Sequence, residues 1–291
     1  ELCDNTDITS GELETVLEVV VTKVQGLGLW SAPTVGSGSS LCTPLRLLCG
    51  NKRVTENMLR TVAGSWEPDD FAAWLQVDAI GYTPLHSLCD NRQISPGALS
   101  QAVNAIKKAT SGLSPVAKAR VVDEYRRHLK IKHEANELSL YKHAAAADSS
   151  SPALPESASP DELIDTIVSG GLQPWRMHAT GRGLGHGPLH GLCGNEAVTL
   201  EMLQMAVEAT GSDGLVDKDF EYGWTPLHHL CSNPSATGGT ESIVCDANSG
   251  QCQLAHGGEV QVPFKDMLEY VTRLATDARR HTALHEAWRT P

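Results

Sequence analysis

Short apolar stretches with a helical period recur along this chain, and they share one pattern of residues. A Leu-Cys pair, followed two places after the cysteine by asparagine, occurs five times. The five pairs are Leu2-Cys3, Leu48-Cys49, Leu88-Cys89, Leu192-Cys193 and Leu230-Cys231. In four of them another leucine precedes the pair by three residues, which places the apolar side chains on one face of a short helix. Recurrence of this kind predicts an array of repeated structural units.

Each short helix carries sequence signals for its start and its end. Thr43, Thr83 and Thr225 occupy the N-cap position, and proline follows each at the first helical position, where no amide donor is needed. In a fourth copy Gly187 takes the place of threonine. The asparagine after each cysteine is expected to adopt the left-handed conformation that closes a helix.

A longer second helix is predicted after each short one. A β-branched residue comes five places after the cysteine in four copies, and a hydroxyl residue suited to an N-cap follows it. These pairs are Ile8-Thr9, Val54-Thr55, Ile94-Ser95 and Val198-Thr199. Residues 12–17 and 201–207 continue with the apolar period of a helix. No unit of this size buries both of its helices alone, so neighbouring units must stack, and the sequence predicts an all-α fold.

The quoted residues resemble ankyrin repeats, whose signature Thr-Pro-Leu-His-x-Ala recurs about every 33 residues. Residues 78–86 and 220–228 are similar to the hairpin finger and first helix of that family. Cysteine replaces the usual alanine, and the spacing from Thr43 to Thr83 is 40 residues. The resemblance implies an ankyrin-like helical repeat solenoid with long loops. It also implies that the histidine after Pro-Leu makes structural hydrogen bonds within and between repeats.

Two interruptions divide the array. We assign residues 1–110 and 160–291 to two repeat segments, separated at 111–159 by an inserted helix and a Ser/Pro/Ala-rich linker. The helix has a basic stretch at 118–132, which acidic residues interrupt, so we interpret it as a solvated face. A second insertion, at about 234–261, is longer than most loops of compact domains and is expected to be functional or disordered.

The composition of the chain restricts the classes of molecule that it is expected to bind. The net charge of −12 argues against nucleic acid and suits a basic protein partner. No apolar run approaches the length of a membrane span, and no signal peptide is visible. The chain begins without Met and inside a repeat, so we expect a fragment of a longer protein. An intracellular setting, cytoplasmic or nuclear, is predicted, with an organelle as the alternative if a targeting segment is missing.

The cysteines follow the repeat. Five of the eight occupy the repeated helix position, where burial explains them without disulfides and indicates a reducing compartment. Cys42 lies beside the cap residue Thr43. Cys245 and Cys252 lie together in the second insertion and are the candidate disulfide pair. A bridge between them would favour a secretory setting.

Motifs that could indicate catalysis or a cofactor are either incomplete in this sequence or explained by the repeat. His-x-x-Cys occurs three times, and His186 lies close to one copy, which could supply zinc ligands. The repeat alone accounts for that spacing, so we expect no metal. The alternating glycines at 181–187 lack the dinucleotide fingerprint, and the chain has neither a P-loop nor a nucleophile elbow. We therefore predict no cofactor, no small-molecule ligand and no enzyme activity.

The predicted function is protein binding by a non-catalytic scaffold that presents a concave, mostly acidic surface, within a larger assembly. Large side chains on the predicted fingers are candidate contacts with a protein partner. They are Tyr82, Arg182, His186, Tyr222 and Trp224. Packing of Trp224 against the next finger is an equal alternative. Two other functions stay open: a metal- or small-molecule-binding module built from 234–261 and His186, or the targeting region of a larger enzyme.

Overall fold

The structure is a computed structural model in which part of the chain is described. The described residues are 8–23, 30, 42–64, 66, 68–78, 81–117, 119–121, 123, 175, 179, 186–211, 214–215, 217, 219, 224–233, 243–245, 252–254 and 262–277. Arg182, Tyr222, the linker at 148–159 and all but two short stretches of the second insertion lie outside them.

Helices account for most of the described residues, as the sequence predicted. The α-helices are α1 (Ser10–Lys23), α2 (Pro44–Gly50), α3 (Glu56–Gly64), α4 (Pro84–Cys89), α5 (Pro96–Gly112), α6 (Pro188–Gly194), α7 (Leu200–Thr210), α8 (Pro226–Cys231) and α9 (Val262–Asp277). A 3-10 helix spans Pro68–Trp74. Two three-residue strands, β1 (Ile243–Cys245) and β2 (Cys252–Leu254), form a small antiparallel hairpin.

Short and longer helices pack in two separate rows. The short helices contact one another in the order α2, α4, α6, α8, and the longer helices in the order α1, α3, α5, α7, α9. Buried leucines such as Leu48, Leu88 and Leu192 belong to one apolar core that also includes residues of the longer helices. The packing of α4 on α6 and of α5 on α7 joins parts of the chain that are about a hundred residues apart in sequence.

The short helices begin as their sequences predict. The Thr43 hydroxyl accepts a hydrogen bond from the Arg46 amide at 3.2 Å, and proline follows at the first helical position. In three later copies a histidine ring completes the cap, because its Nδ1 accepts the amide of the cap residue. These bonds run from Thr83 to His86 (3.1 Å), from Gly187 to His190 (3.2 Å) and from Thr225 to His228 (3.0 Å).

The expected left-handed asparagine is wrong. Asn51 (φ −72°, ψ 126°) and Asn195 (φ −80°, ψ 128°) are extended. Their side chains explain the difference, because Oδ1 accepts the backbone amide two residues later, at 2.8 Å from Arg53 and 2.9 Å from Ala197. This Asx-type turn leads the chain from the short helix into the longer one.

The asparagines of the later units, Asn91, Asn195 and Asn233, link successive short helices. Each Nδ2 donates to two backbone carbonyls at the end of the preceding short helix, and all of these side chains are buried. Asn91 donates to Cys49 and Asn51 at 3.0 and 2.8 Å, Asn195 to Cys89 and Asn91 at 2.7 and 2.9 Å, and Asn233 to Cys193 and Asn195 at 3.1 and 2.8 Å. We call this chain of bonds the asparagine ladder. It adds a donor to the cysteine carbonyls at the helix ends, where intrahelical donors are lacking. It also gives each asparagine carbonyl a second donor, because that carbonyl already accepts the amide three residues later.

The repeated cysteines behave as the pattern predicted where they are described. Cys49, Cys89 and Cys193 are fully buried and form no disulfide, and Cys231 is half-buried. Burial raises the pKa of Cys89 and Cys193, and it raises the pKa of Cys231 to about 12. These thiols are therefore poor nucleophiles at neutral pH and serve as small apolar side chains.

Among the described residues, no helix has the combination of length and apolar composition needed to cross a membrane.

Candidate functional site

Three of the five sequence-predicted contact residues fall within the described chain, and they stand in comparable positions. Tyr82, His186 and Trp224 each lie directly before the cap residue of a short helix. Each closes a backbone pairing through its carbonyl oxygen. The amide of Asp78 donates to Tyr82 at 3.0 Å, that of Ala179 to His186 at 3.1 Å, and that of Asp219 to Trp224 at 2.7 Å.

The turn before α4 shows how local sequence holds this position. Gly81 has a φ of +79°, a conformation that residues with a Cβ rarely adopt. The Asp78 carboxylate then accepts the Tyr82 amide at 2.9 Å. Arg46 of the preceding unit reaches this turn, with Nη1 2.6 Å from the Asp78 carboxylate and its guanidinium 5.4 Å from the Tyr82 ring centre.

The finger residues join into a row that also includes residues the sequence analysis did not select. Tyr82, His186, His229 and Trp224, with the carboxylates Asp90 and Asp219, form what we call the polar aromatic row. The Tyr82 and His186 ring centres are 6.0 Å apart, those of His186 and His229 6.3 Å, and those of His229 and Trp224 5.5 Å. The row therefore crosses three successive short helices.

One end of the row is a cluster around Asp90. The Tyr82 hydroxyl donates to Asp90 Oδ2 at 2.9 Å, and His186 Nε2 lies 3.3 Å from that hydroxyl and 3.6 Å from Asp90 Oδ1. Burial and the neighbouring Asp90 carboxylate raise the pKa of Tyr82, so its hydroxyl stays protonated as a donor. A Cβ at Gly191 of α6 would overlap the Asp90 carboxylate, so glycine at this position leaves room for the carboxylate where it lies.

Opposing influences act on the Asp90 carboxyl. Burial raises its pKa, whereas the hydrogen bond and charge of His186, the Tyr82 hydrogen bond and the charge of His86 lower it. The net effect is a pKa below the usual value. Asp90 is therefore ionised at neutral pH, and about 35% of its side chain is exposed.

The other end of the row is held by His190. Its Nδ1 accepts the Gly187 amide, so the neutral ring carries its proton on Nε2. That Nε2 lies 3.0 Å from the Asp217 carbonyl and 3.1 Å from the Trp224 carbonyl, and so donates to the turn of the following unit. His229 then pairs with the Asp219 carboxylate at 3.0 Å. Histidines at equivalent places therefore bond within one unit and, for His190, to the next.

The side chains of the polar aromatic row differ in how far they are exposed to solvent. Tyr82 is buried, whereas His186, His229 and Trp224 are half-buried. Tyr82 therefore contacts His186 and Asp90 from the buried side of the row and helps to position both. The solvent-facing part of the row consists of Asp90, His186, His229 and Trp224. Contact of these residues with a partner remains a prediction, and Arg182 and Tyr222 lie outside the described residues.

Sequence reasoning did not find Asp90, Asp219 or His229. A weak signal was present, because His229 directly follows the repeated histidine and Asp90 takes the place that glycine has after Cys49 and Cys193. Their place in the row depends on contacts with residues of other units. The spacing of residues along the sequence does not show those contacts.

The row offers several kinds of side chain for contact with another molecule. Within the described ranges, no three His, Cys, Asp or Glu side chains converge in a geometry that could hold a metal ion. The imidazoles instead alternate with carboxylates, a tyrosine hydroxyl and an indole ring, groups that contact polar and aromatic side chains.

Comparison with known proteins gives no match, either to models of protein families or to curated sequences.

Proposed function

We propose that this chain is an ankyrin-like helical repeat solenoid that acts as a non-catalytic scaffold and binds another protein. The polar aromatic row is the proposed contact surface. The observation that carries this proposal is the continuity of the row across three short helices, with Asp90, His186, His229 and Trp224 partly exposed along it.

The energetic argument is preorganisation. Backbone pairings, the asparagine ladder and the His190 bonds already hold these side chains at fixed spacing. Little side-chain ordering then remains to be done on binding, which favours affinity for a partner of matching shape. The ionised Asp90 and the net charge of −12 favour a basic segment of that partner. We propose an intracellular setting, since the described repeat cysteines are buried or half-buried and form no disulfide.

The first experiment identifies the partner and then tests the surface. Affinity capture with the full chain and mass spectrometry supplies the partner, which is purified and titrated by calorimetry. Replacing His186 and Trp224 together by alanine removes two half-buried rings of the row. We expect a loss of about 2 kcal/mol or more, roughly 30-fold in Kd, as for hot-spot residues.

A matched double variant controls for general effects. Gln204→Ala with Glu208→Ala removes two exposed side chains on α7, in the other row of helices, and should leave Kd within about threefold, as surface changes away from an interface do. Equal affinities of the row variant and wild type, with the helical circular dichroism unchanged, would reject the row as the contact surface.

A further inference from the structure

The β1–β2 hairpin places two cysteines opposite each other. The strands are antiparallel, and their register pairs Ile243 with Leu254, Val244 with Gln253 and Cys245 with Cys252. Cys245 ends β1 and Cys252 begins β2, so the two cysteines form the pair that flanks the connecting residues 246–251. The intervening residues 246–251, Asp-Ala-Asn-Ser-Gly-Gln, are rich in turn-forming types.

This register suits a covalent link. Facing Cα atoms of an antiparallel pair are about 4.5 to 5.5 Å apart. Disulfides span Cα separations of about 4.4 to 6.8 Å. Residues in direct register also share one face of the sheet. A slip of one residue would place the cysteines on opposite faces, so the register itself is the informative observation.

The described cysteines of the repeat position compete poorly for this chemistry. Cys49, Cys89 and Cys193 are fully buried, and burial raises the pKa of Cys89, Cys193 and Cys231. Disulfide exchange proceeds through the thiolate, which such burial suppresses. Cys42 is half-buried and lies 2.6 Å from Arg46 Nη1, far from the hairpin in sequence, and serves below as a control.

We propose that Cys245 and Cys252 form a reversible dithiol–disulfide site that closes the hairpin. The oxidant is a low-molecular-weight disulfide of the glutathione type. One cysteine thiolate attacks that disulfide, forms a mixed disulfide and releases one small thiol. The second cysteine thiolate then displaces the second small thiol and forms the Cys245–Cys252 bond. The protein loses two protons and two electrons, equivalent to two hydrogen atoms, and the small disulfide gains them to become two thiols.

The hairpin contacts the helices, so a change in the hairpin can affect their packing. β2 contacts α9, and α9 packs on both α7 and α8. Closing the hairpin fixes its register and therefore the strand that lies against α9. The proposal does not depend on partner binding by the polar aromatic row.

The test is a redox titration of the purified full chain in buffers with varied ratios of oxidised to reduced glutathione. After acid quenching and alkylation, intact mass and peptide mapping report the linkage. We expect a species that lacks two hydrogens and maps to a Cys245–Cys252 link, reversed by excess reduced glutathione. Cys245→Ser should abolish it, and Cys42→Ser should leave the midpoint ratio unchanged.

A register variant makes the test specific to the structure. Cys252→Ser combined with Gln253→Cys moves the second thiol one place along β2, opposite Val244 instead of Cys245. We expect the equilibrium constant for disulfide formation to fall at least about tenfold, a shift of roughly 30 mV. Each of three outcomes would overturn the proposal. The wild type could fail to lose two hydrogens at any glutathione ratio, or its link could involve Cys42. The wild type and the register variant could also have equal equilibrium constants for disulfide formation.

Discussion

Among individual residues, the repeated asparagine contributes most to joining one unit to the next. Asn195 makes three bonds from one side chain: Oδ1 accepts the Ala197 amide, and Nδ2 donates to the Cys89 and Asn91 carbonyls. A single amide thus forms the turn within its own unit and satisfies the end of the preceding short helix. Aspartate is excluded from this role, since it has no N–H group to donate.

Asn195→Ala should therefore lower the stability of the protein strongly. The variant loses three hydrogen bonds, two of them buried, at about 1 kcal/mol each. The Cys89 carbonyl also loses this donor, whereas the Asn91 carbonyl keeps the Ile94 amide. We therefore expect a loss of about 2–4 kcal/mol in the free energy of unfolding. Urea denaturation followed by circular dichroism measures it. Asn104→Ala, on the exposed side of α5, is the matched control and should change stability by less than about 0.5 kcal/mol. Similar losses for both variants would remove the special role of the asparagine ladder.

Among the helices, the contact between α4 and α6 combines the asparagine ladder with an ion-pair cluster at the end of α4. Asp90 follows α4 directly, and its carboxylate meets the Tyr82 hydroxyl and His186 Nε2 from the adjacent turns. Gly191 makes room for this carboxylate on α6. The cluster therefore favours the ionised carboxylate in the folded protein.

Acid should weaken this contact with a predictable sign. The folded-state pKa of Asp90 lies below its usual value, as a result of His186, Tyr82 and His86 acting against burial. Its contribution to stability is then fully present above the unfolded pKa of about 3.9 and is lost as pH falls through the folded value.

Comparison with Asp90→Asn isolates that contribution, because asparagine does not titrate. The free energy of unfolding of the wild type, minus that of the variant, should fall as pH is lowered from about 6 to about 2.5. Urea denaturation at each pH measures the difference. A difference that is constant, or one that grows towards acid pH, would contradict the lowered pKa.

Across the whole molecule, the two rows of helices continue past the largest gap in the described chain. α4 packs on α6 and α5 on α7, and Asn195 bonds to the carbonyls of Cys89 and Asn91. Residues on both sides of the gap also belong to one apolar core. The part of the chain before the gap and the part after it therefore depend on each other for burial.

Cutting the chain within the predicted linker at 148–159 should leave the two parts associated. A protease site inserted there would be cleaved in the native protein, and the two fragments should co-elute in size-exclusion chromatography and separate in urea. Adding Asn195→Ala should weaken the association, whereas adding Asn104→Ala should not. Separation of the fragments without denaturant would show that the contacts of α4 and α5 with α6 and α7 are too weak to hold the molecule together.

Local chemistry made much of this predictable from the sequence. The Thr-Pro starts of the short helices, the hydroxyl caps of the longer ones and the burial of the Leu-Cys positions depend on residues within about four places of one another. The carbonyls that the asparagine side chains bond to, and the positions of Asp90 and His229 in the row, did not follow in the same way. The carbonyls that accept from Asn195 and the His186 ring beside Asp90 belong to neighbouring units, about a hundred residues away in sequence. No local pattern encodes which carbonyl or ring will lie opposite. The sequence determined the repeating unit, because helix starts and apolar faces are short-range properties. The order in which units stack determined the hydrogen-bond partners, because buried polar groups must find donors and acceptors wherever packing brings them.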